Sequence, residues 1–337
     1  MDLATIWFAL VGVLLAGYAI LDGCDLGVGI LHPVHRGDQP RRIALNAIGP
    51  VWDGNEVWLV TGGGALFAAF PEVYATIFSG FYLPLMLLLM ALIMRAVAIE
   101  FRSKQISHRW RSTWDWVFAI GSFLIALLAG VAFGNVLQGL PLTADHELDI
   151  SLFALLTPFP LLVGVTTVTL FALHGAIYLV LKTEGEIQEK VRGWIQPALI
   201  TFILCFAILT IATLVFRPQL AAPLRENPVL FLFPLLTLLA LANIPRCIHH
   251  GREGQAFISS SAVIAGLFAT AAAGLYPNIV PAIDPANSLH IGNAASSQKT
   301  LQIMFIIALI GMPVVIAYTV CIYWIYRGKV KLDSASY

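Results

Sequence analysis

The chain has 337 residues, 59% of them hydrophobic and only 11% charged, with a formal net charge of zero. Soluble domains carry about 25% charged residues, so this balance, with a mean hydropathy of +0.85, excludes a soluble globular enzyme and predicts an all-α polytopic membrane protein. No basic tail or patch suggests nucleic acid, and Cys24, Cys205, Cys247 and Cys321 stand singly, without the Cys-x-x-Cys spacing of a metal knuckle.

The opening Met-Asp-Leu-Ala lacks the positive region of a signal peptide, so the first apolar run is expected to remain as a membrane span. Roughly 20 helical residues cross the hydrocarbon, and runs of that length fall at about 4–31, 51–70, 76–100, 115–138, 152–181, 194–216, 228–247, 257–276 and 301–326. That predicts nine transmembrane helices in a single integral-membrane domain, 1–337. Only two loops on the outer side have room for local structure: 139–151, acidic through Asp145, Glu147 and Asp149, and 277–300. Gly23-x-x-x-Gly27 and Gly62-Gly63-Gly64-Ala65 read as sites of close helix packing.

Charge orients the spans. Fifteen of the nineteen Lys and Arg flank the ends of spans one, three, five, seven and nine. The opposite side holds Arg217, Arg225 and Lys299, and Arg95 lies inside span three. Positive residues collect in the cytoplasm, which places the N-terminus outside and the C-terminus inside.

The stretch 49–71 is the most informative. It is apolar enough for a bilayer after its first residues, yet opens with Asp53 and Glu56, three apart and so on one helix face. Asp-x-x-Glu ahead of an apolar run also resembles a capping box, with carboxylates at the positive helix end. Both readings stand at this point. Asp22 and Asp25 lie in the inner half of span one, Arg95 and Glu100 end span three, and Asp115 opens span four. Seven ionisable groups therefore gather toward the cytoplasmic side of spans one to four, as a proton or cation inlet would require. Snorkelling or capping is the alternative for each. For Asp115, between Trp114 and Trp116, interfacial anchoring is the better reading; for Asp25, Asp53 and Glu100 a functional role is.

Of eight histidines only His174 lies well inside a span. A membrane b-type haem commonly takes two buried axial ligands, so His174 reads as a hydrogen-bonded packing residue, and no haem, metal or catalytic side chain is expected in this chain. No phosphate loop is present, because no Gly-Lys-Ser/Thr follows the glycine run.

Several blocks resemble subunit II of the cytochrome bd-type quinol oxidases. They are Leu21-Asp22-Gly23-Cys24-Asp25-Leu26-Gly27-Val28-Gly29, Trp52-Asp53-Gly54-Asn55-Glu56-Val57-Trp58, Arg95 through Phe101-Arg102-Ser103-Lys104, Trp114-Asp115-Trp116, Phe133-Gly134-Asn135-Val136-Leu137-Gln138-Gly139 and Ala295-Ser296-Ser297-Gln298-Lys299-Thr300-Leu301. The resemblance implies a complex of the bacterial cytoplasmic membrane that oxidises quinol and reduces dioxygen to water. Haem b and haem d would belong to subunit I, against which this chain packs pseudo-symmetrically. A small single-span subunit joins in some members, and in some a structural quinone is held by subunit II. A proton route at the subunit interface would map onto Asp53 and Glu100, with Asp25, Arg95 and Glu56 beside them. Cys24 departs from the family's common Phe, and Glu100 stands where some relatives have Asp. The chain is shorter than long family members in the loops of its second half, which bears on the structural quinone, and its length resembles the branch described as cyanide-insensitive. An ion-coupled secondary transporter is the alternative function, though a matched pair of Gly/Pro-broken helices is missing. A purely structural assembly partner is the third reading.

Overall fold

Backbone amides find no water in hydrocarbon, so each apolar run must close its own hydrogen bonds as a helix. The computed structural model describes residues 2–148 and 150–332; Asp149, one of the acids expected in the first outer loop, lies outside the described residues. Its helices are α1 (Leu3–Leu31), α2 (Asp38–Ile48), α3 (Trp52–Ala69), α4 (Pro71–Gly80), α5 (Tyr82–Phe101), α6 (His108–Gln138), α7 (Pro158–Lys182), α8 (Gly185–Phe216), α9 (Ala222–Glu226), α10 (Leu232–His249), α11 (Glu253–Leu275) and α12 (Gln298–Ile325).

Among the described residues eight helices are long and apolar enough to cross a membrane. The span expected over 51–70 is helical as α3, but Asp53, Asn55 and Glu56 in its first turns keep it below that apolarity. The span expected over 76–100 is preceded by a separate helix, with α4 and α5 meeting at Phe81.

Helix α1 is the centre, packed against α3, α6, α7 and α11. Glycines set the closest approach. A Cβ on Gly27 would run into the backbone of Phe171 and Gly175 in α7, and one on Gly23 would meet the Phe171 ring. The Gly23/Gly27 pair therefore packs as its spacing predicts. The glycine run divides: Gly62 sits against Leu14 and Leu15 of α1, while Gly63 and Gly64 face open space.

The loops that follow α6 and α11 combine into a cap over one end of the bundle. A short antiparallel pair, β1 (Asn278–Val280) with β2 (Leu289–His290), lies in the second loop, and a bridge from Leu140 to Ala282 ties it to the first. Ser296 bonds the carbonyls of Ala68 and Ala69 at the end of α3, and the Trp7 indole donates to the Leu301 carbonyl at 3.0 Å. Helix α12 makes its main contacts with α1 and α3. It joins the outer core through Leu301, Met304, Phe305 and Ala308, and the larger inner core through Tyr323.

Candidate functional site

Three of the nominated groups, Asp25, Glu56 and Arg95, converge with Asp22 between α1, α3 and α5. Arg95 and Asp25 are wholly buried, as is Asp22. The Arg95 guanidinium donates from Nη1 to Asp22 Oδ2 at 2.8 Å and from Nη2 to Asp22 Oδ1 at 2.5 Å, a bidentate pair. Glu56, partly buried, places Oε1 3.5 Å from Arg95 Nη2, an ionic contact longer than a good hydrogen bond. Glu56 Oε1 and Arg95 Nε have no hydrogen-bond partner among the described residues.

Asp25 stands one turn further along α1. Asn55 Nδ2 donates to its Oδ2 at 2.7 Å and to the Leu21 carbonyl at 3.2 Å, and Cys24 Sγ lies 3.5 Å from Oδ1. Tyr323 of α12 donates its hydroxyl to Asn55 Oδ1 at 3.2 Å. So the chamber is completed by the far end of the chain.

The other nominated acids sit outside this chamber. Asp53 is exposed on α3, and Glu100 is half-buried near the end of α5. The capping reading of Asp53 and Glu56 does not hold: the N-cap is Val51, without a side-chain cap bond, and Asp53 falls at the second helical position. Placing Trp52 at the first helical position moves both carboxylates too far in to cap.

Asp115 is also different from its expected role as an interfacial anchor. It is 4% exposed, because the loop after α1 folds back over it. Arg102 Nε at 2.6 Å, His32 Nε2 at 2.6 Å and Arg41 Nη1 at 2.8 Å all meet its carboxylate. Arg102 and Arg111 then share Asp38, at 2.8 and 2.7 Å. Next to this knot, burial pushes His35 down to about 3, reinforced by the charges of His32 and Arg41.

The chemistry of the donor set does not fit a haem. His174 places Nε2 2.9 Å from the Ile20 carbonyl and Nδ1 2.7 Å from Ser260 Oγ, so both ring nitrogens are engaged. Among the described residues no group of three His, Cys, Asp or Glu could hold a metal. A large apolar cavity of about 1770 Å³ opens between α1, α6, α7, α8, α10 and α11, lined by residues such as Phe133, Leu170, Phe206, Leu241 and Phe268 with Arg225 at its edge.

Sequence reasoning missed Asn55 and Tyr323. Asn55 has a signal in retrospect, an amide at 2% exposure between two acids at the head of an apolar helix. Tyr323 carries none, since with Trp324 and Tyr326 it reads as an interfacial aromatic belt.

A bundle of apolar helices around one central span, with a buried acid chamber, defines an integral membrane protein. Residues 3–326 match the family described as cytochrome bd terminal oxidase subunit II, and the chain belongs to that family. It is 38% identical to cytochrome bd-I ubiquinol oxidase subunit 2 of Escherichia coli K12, over 98% of this chain and 95% of that protein. It is 34% identical to cytochrome bd ubiquinol oxidase subunit 2 of Bacillus subtilis 168, over 98% and 97%. The fold is similar to the bd oxidase structure from Geobacillus thermodenitrificans, with a TM-score of 0.81 at 17% identity over 97% of this chain and 99% of that one. The chain is thus a terminal oxidase subunit, and the transporter reading finds no support in these relatives.

Proposed function

We propose that this chain is the scaffold subunit of a quinol-oxidising, dioxygen-reducing complex in the bacterial cytoplasmic membrane, with haem b and haem d in subunit I, and that it supplies the complex's cytoplasmic proton inlet. Oxidising two quinols by one dioxygen gives two quinones and two waters, and the oxygen side takes up four protons. Drawing them from the cytoplasm while quinol releases its own outside generates a membrane potential.

The observation that carries the inlet is the graded burial of its acids. Asp53 is exposed, Glu56 and Glu100 are half-buried, and Asp25 is fully buried. Buried ionisable groups in a membrane are costly and tend to mark ion or proton routes. The unmet hydrogen bonds of Glu56 Oε1 and Arg95 Nε are suited to internal water, which a relay needs. Arg95, paired with Asp22, would hold Glu56 in place.

Nine crossings with the N-terminus outside fit this reading. Helix α3 runs antiparallel to α1 from the level of Asp25 to the level of Trp7, and 18 residues span about 27 Å. The exposed faces of α3 and α12, with Gly54, Gly64 and Gly311 open to close approach, suit docking of subunit I. The apolar cavity would seat the isoprenoid tail of a structural quinone.

The test is oxygen consumption per haem in purified variant complexes. Asp25→Asn, Glu56→Gln, Asp53→Asn and Glu100→Gln should each slow turnover about tenfold or more, about 1.4 kcal/mol in barrier, with haem content normal. Wild-type turnover in all four would remove the inlet from this chain. Loss of haem and activity together would make the acid an assembly residue.

A further inference from the structure

Asn55 can satisfy its surroundings in only one amide orientation. Its nitrogen must face Asp25 Oδ2 and the Leu21 carbonyl, both acceptors, so its oxygen must face a donor. That donor is the Tyr323 hydroxyl. Rotating the amide by half a turn would aim oxygen at two acceptors and nitrogen at a hydroxyl that could then only accept.

Tyr323 is the one α12 side chain that joins the larger inner core among the described residues; the outer end of α12 is fixed at Leu301. Between those points the helix exposes Ile306, Ile307, Ile310, Val314 and Ile316. The hydrogen bond through Asn55 is therefore where the placement of α12 reaches the acid chamber.

We propose that Tyr323 and Asn55 are positioning residues for Asp25: α12, through Tyr323, fixes the Asn55 amide that holds the Asp25 carboxylate, and so sets the pH range over which the proton relay works. This rests on the inlet reading above. The groups facing Asp25 are Asp22 and Cys24 on α1, Asn55 on α3, Arg95 on α5, Tyr178 on α7 and Tyr323 on α12. Only Asn55 and Cys24 make a direct side-chain bond to its carboxylate among the described residues, and the amide bond is the shorter. Without the tyrosine hydroxyl the amide oxygen loses its donor, and only the two bonds of its nitrogen hold the amide against Asp25.

The experiment uses the purified whole complex carrying Tyr323→Phe, Asn55→Leu or Asp25→Asn, with turnover measured per haem from acid to alkaline pH. Tyr323→Phe should slow turnover about threefold or more, the weight of one neutral hydrogen bond. Its pH profile should move by about half a unit or more, with haem content unchanged. Asn55→Leu should move the profile in the same direction and further. A slowed rate with an unmoved pH profile in Tyr323→Phe would reduce the residue to packing and overturn the proposal. So would wild-type behaviour of Tyr323→Phe and Asn55→Leu while Asp25→Asn is slow, with the inlet reading intact. If Asp25→Asn itself turns over at the wild-type rate, Asp25 is not in the relay and that reading fails first.

Discussion

Arg95 grips Asp22 through both guanidinium nitrogens, at 2.8 and 2.5 Å, and neither residue has any exposed surface. A charge this deep is tolerated only with its counter-charge beside it. Removing one partner should therefore cost far more than removing both. Asp22→Asn or Arg95→Ala is expected to destabilise the purified complex by about 3–5 kcal/mol, whereas the double variant Asp22→Leu/Arg95→Met should recover most of that loss. Thermal unfolding in detergent compares the three, and an additive double variant would show that the pair is not the source of the cost.

The same logic separates the two carboxylates of the knot at Asp115. Asp115→Ala takes from buried His32 its acid partner and leaves buried Arg102 only the exposed Asp38, with an expected loss of about 3 kcal/mol or more. Arg111→Ala, whose partner Asp38 is largely solvated, should cost at most about 1 kcal/mol. Equal losses in the two variants would contradict the burial difference.

His35 gives the knot a pH dependence. The folded chain holds this ring neutral until about pH 3, while the unfolded chain takes up the proton near the ordinary value of about 6.5. Its contribution to stability is full above about pH 6.5 and declines as pH falls toward 3, because unfolding then consumes a proton. His35→Phe, which keeps an aromatic ring against Trp194, should flatten the fall in unfolding temperature between neutral and mildly acid pH. An unchanged slope would assign the acid sensitivity elsewhere.

His174→Ala should leave the visible haem spectrum of the complex as it is. The ring serves the Ile20 carbonyl and Ser260 and stacks on Phe257, so its loss should appear as instability of about 2 kcal/mol or more. A lost haem band would mean that this chain ligates haem after all.

Much of this architecture is legible in hydropathy alone, since eight of the expected spans are set by long apolar runs that can close their hydrogen bonds only as helices. The convergence of Asp25, Glu56 and Arg95 is half legible. Their depth along each helix follows from chain position, but which acid Arg95 meets depends on helix rotation, and the sequence pointed to no preference for Asp22. Asp115 shows the opposite failure. Its tryptophan neighbours describe an interface, yet its partners His32, just after α1, and Arg41, in α2, lie more than seventy residues away, where no local pattern announces them. Tyr323 and Asn55 fail for the same reason at greater distance, a contact across 268 positions.

That last distance has a consequence for biosynthesis. A ribosome delivers α1 and α3 to the membrane well before α12 exists, so for most of synthesis the Asn55 amide has no hydroxyl to orient it. On the proposed reading, the inlet would be complete only when the final helix is threaded and seated.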